Sequence, residues 1–95
     1  MTAGRSGWTV FCVKEASDVL ESMPTALKNE VIKFFCDFAF AAGTAIGSGD
    51  RPPGDALDDA GVAYRMVVGG TSLFFDYVVL ADIQEFRITG MVWLG

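Results

Sequence analysis

Tyr64-Arg65-Met66-Val67-Val68-Gly69-Gly70-Thr71-Ser72-Leu73-Phe74-Phe75-Asp76-Tyr77-Val78-Val79 is the stretch that decides the fold. Two runs rich in aromatic and β-branched residues flank a Gly-Gly step, the composition of strands joined by a tight hairpin. The strands are expected at 64–68 and 72–79. A looser turn, Leu80-Ala81-Asp82-Ile83, leads to a third strand from Gln84 to Val92. A meander this apolar needs a cover on one face. From Tyr64 onward its only cations are Arg65 and Arg87, so what the sheet leaves exposed can be named residue by residue.

Upstream, Ala42 to Ala63 reads as a connector, with Gly43, Gly47, Gly49, Pro52, Pro53, Gly54 and Gly61 among four aspartates. A loop over 43–63 exceeds the usual inter-element length, which often marks a functional or mobile segment; Ala56-Leu57 offers a short docked turn. Before it, a helix from Thr25 carries Leu27, Val31, Phe34, Phe35 and Phe38 on one face. Ile32, Cys36, Ala39 and Phe40 spread apolar character beyond the stripe of roughly 100° that a single sheet requires. That excess calls for a second cover, from the chain itself or from a partner, and Ile32, Cys36 and Phe40 are the candidate partner-binding residues. The Phe34-Phe35-Phe38-Phe40 cluster reads first as core and second as a partner groove.

Ala16, Val19, Leu20 and Met23 recur at helical spacing from Lys14 onward, and Pro24 ends that shorter helix. Trp8 to Val13 is a first strand, which must pair with the edge of the meander to satisfy its backbone, and 1–7 is a frayed terminus. The order strand, helix, helix, loop, three-stranded antiparallel meander makes an α+β two-layer fold, one helical layer on one antiparallel sheet, in one domain over 1–95.

Composition narrows the function. A chain that is 52% hydrophobic has ample surface to bury. Its net charge of −5 opposes tracking a phosphate backbone, so direct nucleic-acid binding is not expected. Histidine is absent, which removes the usual general base near neutral pH and the commonest metal ligand. The glycine-rich connector follows a helix and lacks a phosphate-loop lysine. Cys12 and Cys36 without histidine do not suit a zinc site; both read as buried free thiols. Asp55, Asp58 and Asp59 are not spaced as a calcium loop. No cofactor is expected. The most apolar helical run, from Val31 to Ala42, is interrupted by Lys33 and Asp37 and is too short to span a bilayer, so a cytoplasmic protein with no membrane partner is expected.

The phrases Trp8-Thr9-Val10-Phe11, Met23-Pro24, Tyr64-Arg65-Met66-Val67-Val68-Gly69, Leu73-Phe74-Phe75-Asp76-Tyr77 and Arg87-Ile88-Thr89-Gly90, in this order, resemble the RelE/ParE toxin superfamily. The resemblance implies a small toxin of a type II toxin–antitoxin pair, neutralised by an antitoxin protein that wraps it. RelE-like members cut messenger RNA on the ribosome, and ParE-like members inhibit gyrase. On the family pattern Arg65 stands at a phosphate-facing position, and Arg87 is the second candidate catalytic cation. Ser72 takes the place of a further hairpin arginine, and Met91-Val92 that of a terminal His-Arg. Two or three lost charge-assisted contacts at about 2.7–4 kcal/mol each would cost orders of magnitude in rate. Action by protein–protein contact, on antitoxin or gyrase, is the first expectation. Alternatives are a ribosome-dependent endoribonuclease and a non-catalytic homodimer. The plainer readings are Arg65 paired with Asp76 across the hairpin, Arg87 opposite Asp76 or Glu85, and Tyr64 and Tyr77 as sheet residues.

Overall fold

The computed structural model describes residues 7–95; apart from Gly7, the terminus expected to fray lies outside them. Strand β1 (Thr9–Cys12) is followed by helices α1 (Lys14–Glu21) and α2 (Thr25–Gly47). Then come β2 (Asp55–Ala56), β3 (Ala63–Val68), β4 (Leu73–Leu80) and β5 (Glu85–Trp93). The strands form one sheet in the order β1-β5-β4-β3-β2, with both helices on one face. The expected α+β two-layer architecture is the observed one.

Pro24 separates the helices. It has no N–H to extend α1, and its carbonyl accepts the first bond of α2 from Lys28 N–H at 2.9 Å. Ala16 and Leu20 of α1 face the sheet, as do Val31, Phe35, Phe38 and Ala42 of α2. Phe75 sits at the centre, fully buried, with the rings of Phe34, Phe35 and Phe38 edge-on at 6.1, 5.2 and 5.7 Å. Phe38 also meets Tyr77 and Phe86 at 4.9 and 5.2 Å. Each such pair adds about 0.5–1.5 kcal/mol beyond the area it buries.

Five expectations need correction. The loop placed at 43–63 begins only after Gly47, because Ala42 and Gly43 are buried and Ile46 packs on the core. Burial there outweighs the low helix propensity of glycine. Within the connector, Asp55 and Ala56 pair with Arg65 and Tyr64 to add a strand that composition conceals. Gly54 permits this pairing: at φ +111° its missing Cβ would lie 2.7 Å from the Arg65 carbonyl oxygen.

The Gly69-Gly70 hairpin is wider than two residues, since Val68 pairs with Leu73. Thr71 closes it, its hydroxyl donating to the Val68 carbonyl at 2.8 Å and accepting from Leu73 N–H at 3.2 Å. The sheet is mixed, not antiparallel throughout. β1 does join the edge of the meander, but parallel to β5, Thr9 opposite Glu85 and Cys12 opposite Ile88. A strand returned by helices can pair in parallel, as a hairpin cannot. Finally, Cys36 and Phe40 are exposed, because they lie on the side of α2 away from the sheet. Cys12 is half-buried, and burial pushes its thiol pKa up. Both thiols are free.

Candidate functional site

Helices cover one face of the sheet and leave the other open. Alternation along the strands assigns the faces: Tyr64, Val68, Leu73, Phe75, Tyr77, Phe86 and Ile88 point to the core. Phe11, Arg65, Phe74, Asp76, Glu85 and Arg87 therefore fall on the open face. Arg65 and Arg87, the two arginines singled out in the sequence, share it.

Each arginine is held in the same way, by a carboxylate in its plane and an aromatic ring beneath. Arg65 lies directly opposite Asp76 in the β3–β4 ladder. Its Nε donates to Asp76 Oδ1 at 2.7 Å and its Nη2 to Oδ2 at 3.0 Å, a bidentate fork. The guanidinium carbon lies 4.9 Å from the centre of the Phe74 ring. Arg87 Nε donates to Glu85 Oε2 at 2.8 Å, two residues back on the same strand, and its guanidinium stands 5.5 Å from the Phe11 ring. Asp76 and Glu85 were foreseeable partners. The supporting rings were not singled out, although the period of two places Phe74 beside Asp76 on one face.

The two cations do not converge. Arg65 pairs with Asp76 and Arg87 with Val78, so they stand on opposite sides of β4 and two residues out of step along it. Two ladder spacings alone amount to roughly 10 Å. Midway along β5 a bulge leaves Thr89 as the extra residue, with Asp76 facing Gly90 and Tyr77 facing Ile88. As held, the two guanidinium groups lean apart, Arg65 over Phe74 of β4 and Arg87 over Phe11 of β1.

Neither tyrosine is placed to trade a proton at this face. Tyr64 and Tyr77 are buried on the core side, stacked on each other at 5.4 Å. Their hydroxyls tie down the connector: Tyr64 Oη donates to the Gly61 carbonyl at 3.0 Å, and Tyr77 Oη donates to the Pro53 carbonyl. Burial, with Tyr64 alongside, pushes the Tyr77 pKa far above the ordinary tyrosine range. Asp58 closes the same segment by accepting from the N–H groups of Gly61, Val62 and Ala63, bonds that hold its carboxyl below the usual range. Between the connector and the end of α2 lies an open cleft of about 310 Å³, flanked by Ile46, Arg51, Tyr64 and Val79.

The second candidate surface is the outer side of α2. Ile32 is 43% exposed and Phe40 51%, with Cys36 exposed between them at four-residue spacing. No segment among the described residues covers this stripe. It is separate from the arginine face, since the helices and the core lie between them. Among the described residues no helix is long and apolar enough to cross a membrane.

No protein-family model matches the chain, and no curated protein matches it in sequence. Among solved structures it is similar to the E. coli toxin RelE, in a form with two arginines replaced by alanine and in complex with an antitoxin RelBc peptide. The TM-score is 0.65 over 94% of this chain and 85% of that one, at 8% identity. The fold is RelE-like.

Proposed function

We propose that this chain is the toxin, or a toxin homologue, of a type II toxin–antitoxin pair and that it acts through protein–protein contact. The RelE-like fold supports the first half, and the solved RelE carries an antitoxin peptide. The observation that favours contact over catalysis is the state of Arg65 and Arg87. Each is already neutralised by a carboxylate, and no histidine exists to serve as base. A phosphate would have to displace Asp76 and enter the field of a protein with net charge −5. The antitoxin is the expected partner, and the exposed Ile32, Cys36 and Phe40 stripe on α2 offers it an apolar seat of helical spacing. Gyrase is the candidate target.

Induced expression of the chain alone is expected to slow growth, and co-expression of an adjacent small gene to restore it, with the two proteins purifying together. Normal growth combined with no co-purifying protein would overturn the proposal. The ribonuclease alternative predicts cleavage of messenger RNA in a translating extract by the natural chain and not by Arg65→Ala. Absence of cleavage by the natural chain is the outcome expected here.

A further inference from the structure

The two edges of the sheet are built differently. At one end β2 is two residues long, follows Pro52-Pro53 and carries Asp55. Proline offers no N–H to an incoming strand, and a short charged edge discourages pairing. At the other end β1, Thr9–Cys12, carries neither proline nor charge. Its ladder with β5 includes a bond from Thr9 N–H to the Gln84 carbonyl, continued past its end from Val13 N–H to the Ile88 carbonyl, both at 3.0 Å. Successive residues of a strand direct their N–H and C=O groups to opposite sides. Val10 and Cys12 therefore present theirs outward, and no strand among the described residues pairs with them.

We infer that β1 is a self-association edge, pairing antiparallel with β1 of a second copy of this chain about a two-fold axis at Phe11. An antiparallel strand pair is its own complement under two-fold symmetry, as an isologous interface requires. In this register Val10 faces Cys12 of the partner subunit, and every outward N–H and C=O of both residues finds a mate. Phe11 then meets its counterpart as the close, non-hydrogen-bonded pair on the open face. Its ring is 52% exposed in the single chain and already lies against Arg87. The absence of charge on β1 also selects the occupant. A foreign strand finds no charge pattern to read there, whereas a second copy supplies matching apolar side chains and needs none. The inference stands on the edge geometry and is independent of the toxin reading.

Sedimentation velocity on the full chain tests it. The mass is expected to rise from 10.2 kDa toward twice that value as the concentration climbs through the micromolar range. Phe11→Lys sets two ammonium groups face to face at the axis, and Val10→Pro removes an outward N–H without touching the β5 ladder. Both are expected to remain at the monomer mass with unchanged circular dichroism. Should either misfold, the natural chain still decides through hydrogen exchange: the Val10 and Cys12 amides are expected to slow with protein concentration. Cross-linking locates the axis. Phe11→Cys, in a chain also carrying Cys12→Ser and Cys36→Ser, is expected to oxidise to a covalent dimer, since Cα atoms about 4.5 Å apart lie within disulfide reach. A monomer at every concentration would overturn the inference, and so would a dimer that cross-links through native Cys36 and not through position 11.

Discussion

On β4 the two faces of the sheet can be compared residue by residue. Leu73, Phe75 and Tyr77 are buried under the helices, while Phe74, Asp76 and Val78, interleaved with them, remain half-exposed on the open face. Of the inner set, Phe75 meets the rings of α2, and Tyr77 meets rings from α2, β3 and β5, so the inner face ties several elements together. The outer set touches only neighbours on the sheet, chiefly Arg65. The inner face specifies the fold, and the outer face is free to vary in chemistry without loss of the scaffold.

The largest test sets Phe75 against Phe74. Phe75→Ala is expected to cost about 3–5 kcal/mol, because the helices cannot fully collapse into the space left by a fully buried ring. That is a large share of the roughly 5–15 kcal/mol that holds a domain together. Phe74→Ala, losing a half-exposed ring and one cation–π contact, is expected to cost about 1 kcal/mol or less. Urea unfolding midpoints of the two variants measure the gap, and equal losses would break the comparison.

Tyr77→Phe probes the one polar atom that β4 sends through the inner layer to the connector. Loss of its bond to the Pro53 carbonyl is expected to lower stability by about 0.5–1.5 kcal/mol. The pH dependence carries a sign. The folded pKa of Tyr77 is raised above the unfolded value near 10, so its contribution is fully present below about pH 10 and is lost as pH rises above it. Wild-type stability should fall with a steeper alkaline slope than that of Tyr77→Phe, as read from thermal midpoints between neutral and alkaline buffers. Parallel slopes would remove Tyr77 as the cause.

The faces were legible in the sequence wherever alternation did the work. The period of two placed Arg65 and Asp76 on a shared face, and a hairpin register in which the Gly-Gly step lies inside the turn brings them opposite each other. The helical stripe from Val31 to Phe38 was legible for the same reason. The misreadings fall where tertiary pairing overrides local preference. Asp55-Ala56 becomes a strand only because β3 lies beside it and Gly54 lets the backbones approach. Gly43 stays helical because its surroundings are buried. The parallel entry of β1 depends on where the helices return the chain, which no local pattern encodes. At the arginine face the ion pairs could be anticipated from charge and register. The separation of Arg65 from Arg87 could not, because it depends on the order and register of the strands.

The smallest effect expected is also the one that bears most directly on function. Arg65 and Asp76 are 48% and 28% exposed, so water competes for both and the fork adds little to folding despite its geometry. A double-mutant cycle over Arg65→Ala, Asp76→Ala and the pair should return a weak coupling that shrinks as salt rises. A strong coupling indifferent to salt would make the fork a structural clamp like the inner face, and Arg65 would then be fixed by the fold. A small, salt-sensitive coupling means that Asp76 holds Arg65 cheaply and that an incoming anion can exchange with it, whether a partner's carboxylate or a phosphate. Asp76→Ala separates the two readings of the face. If the open face serves protein contact, freeing Arg65 should tighten an acidic partner while messenger RNA stays intact. Onset of cleavage in that variant would mean that Asp76 alone had been masking a nuclease.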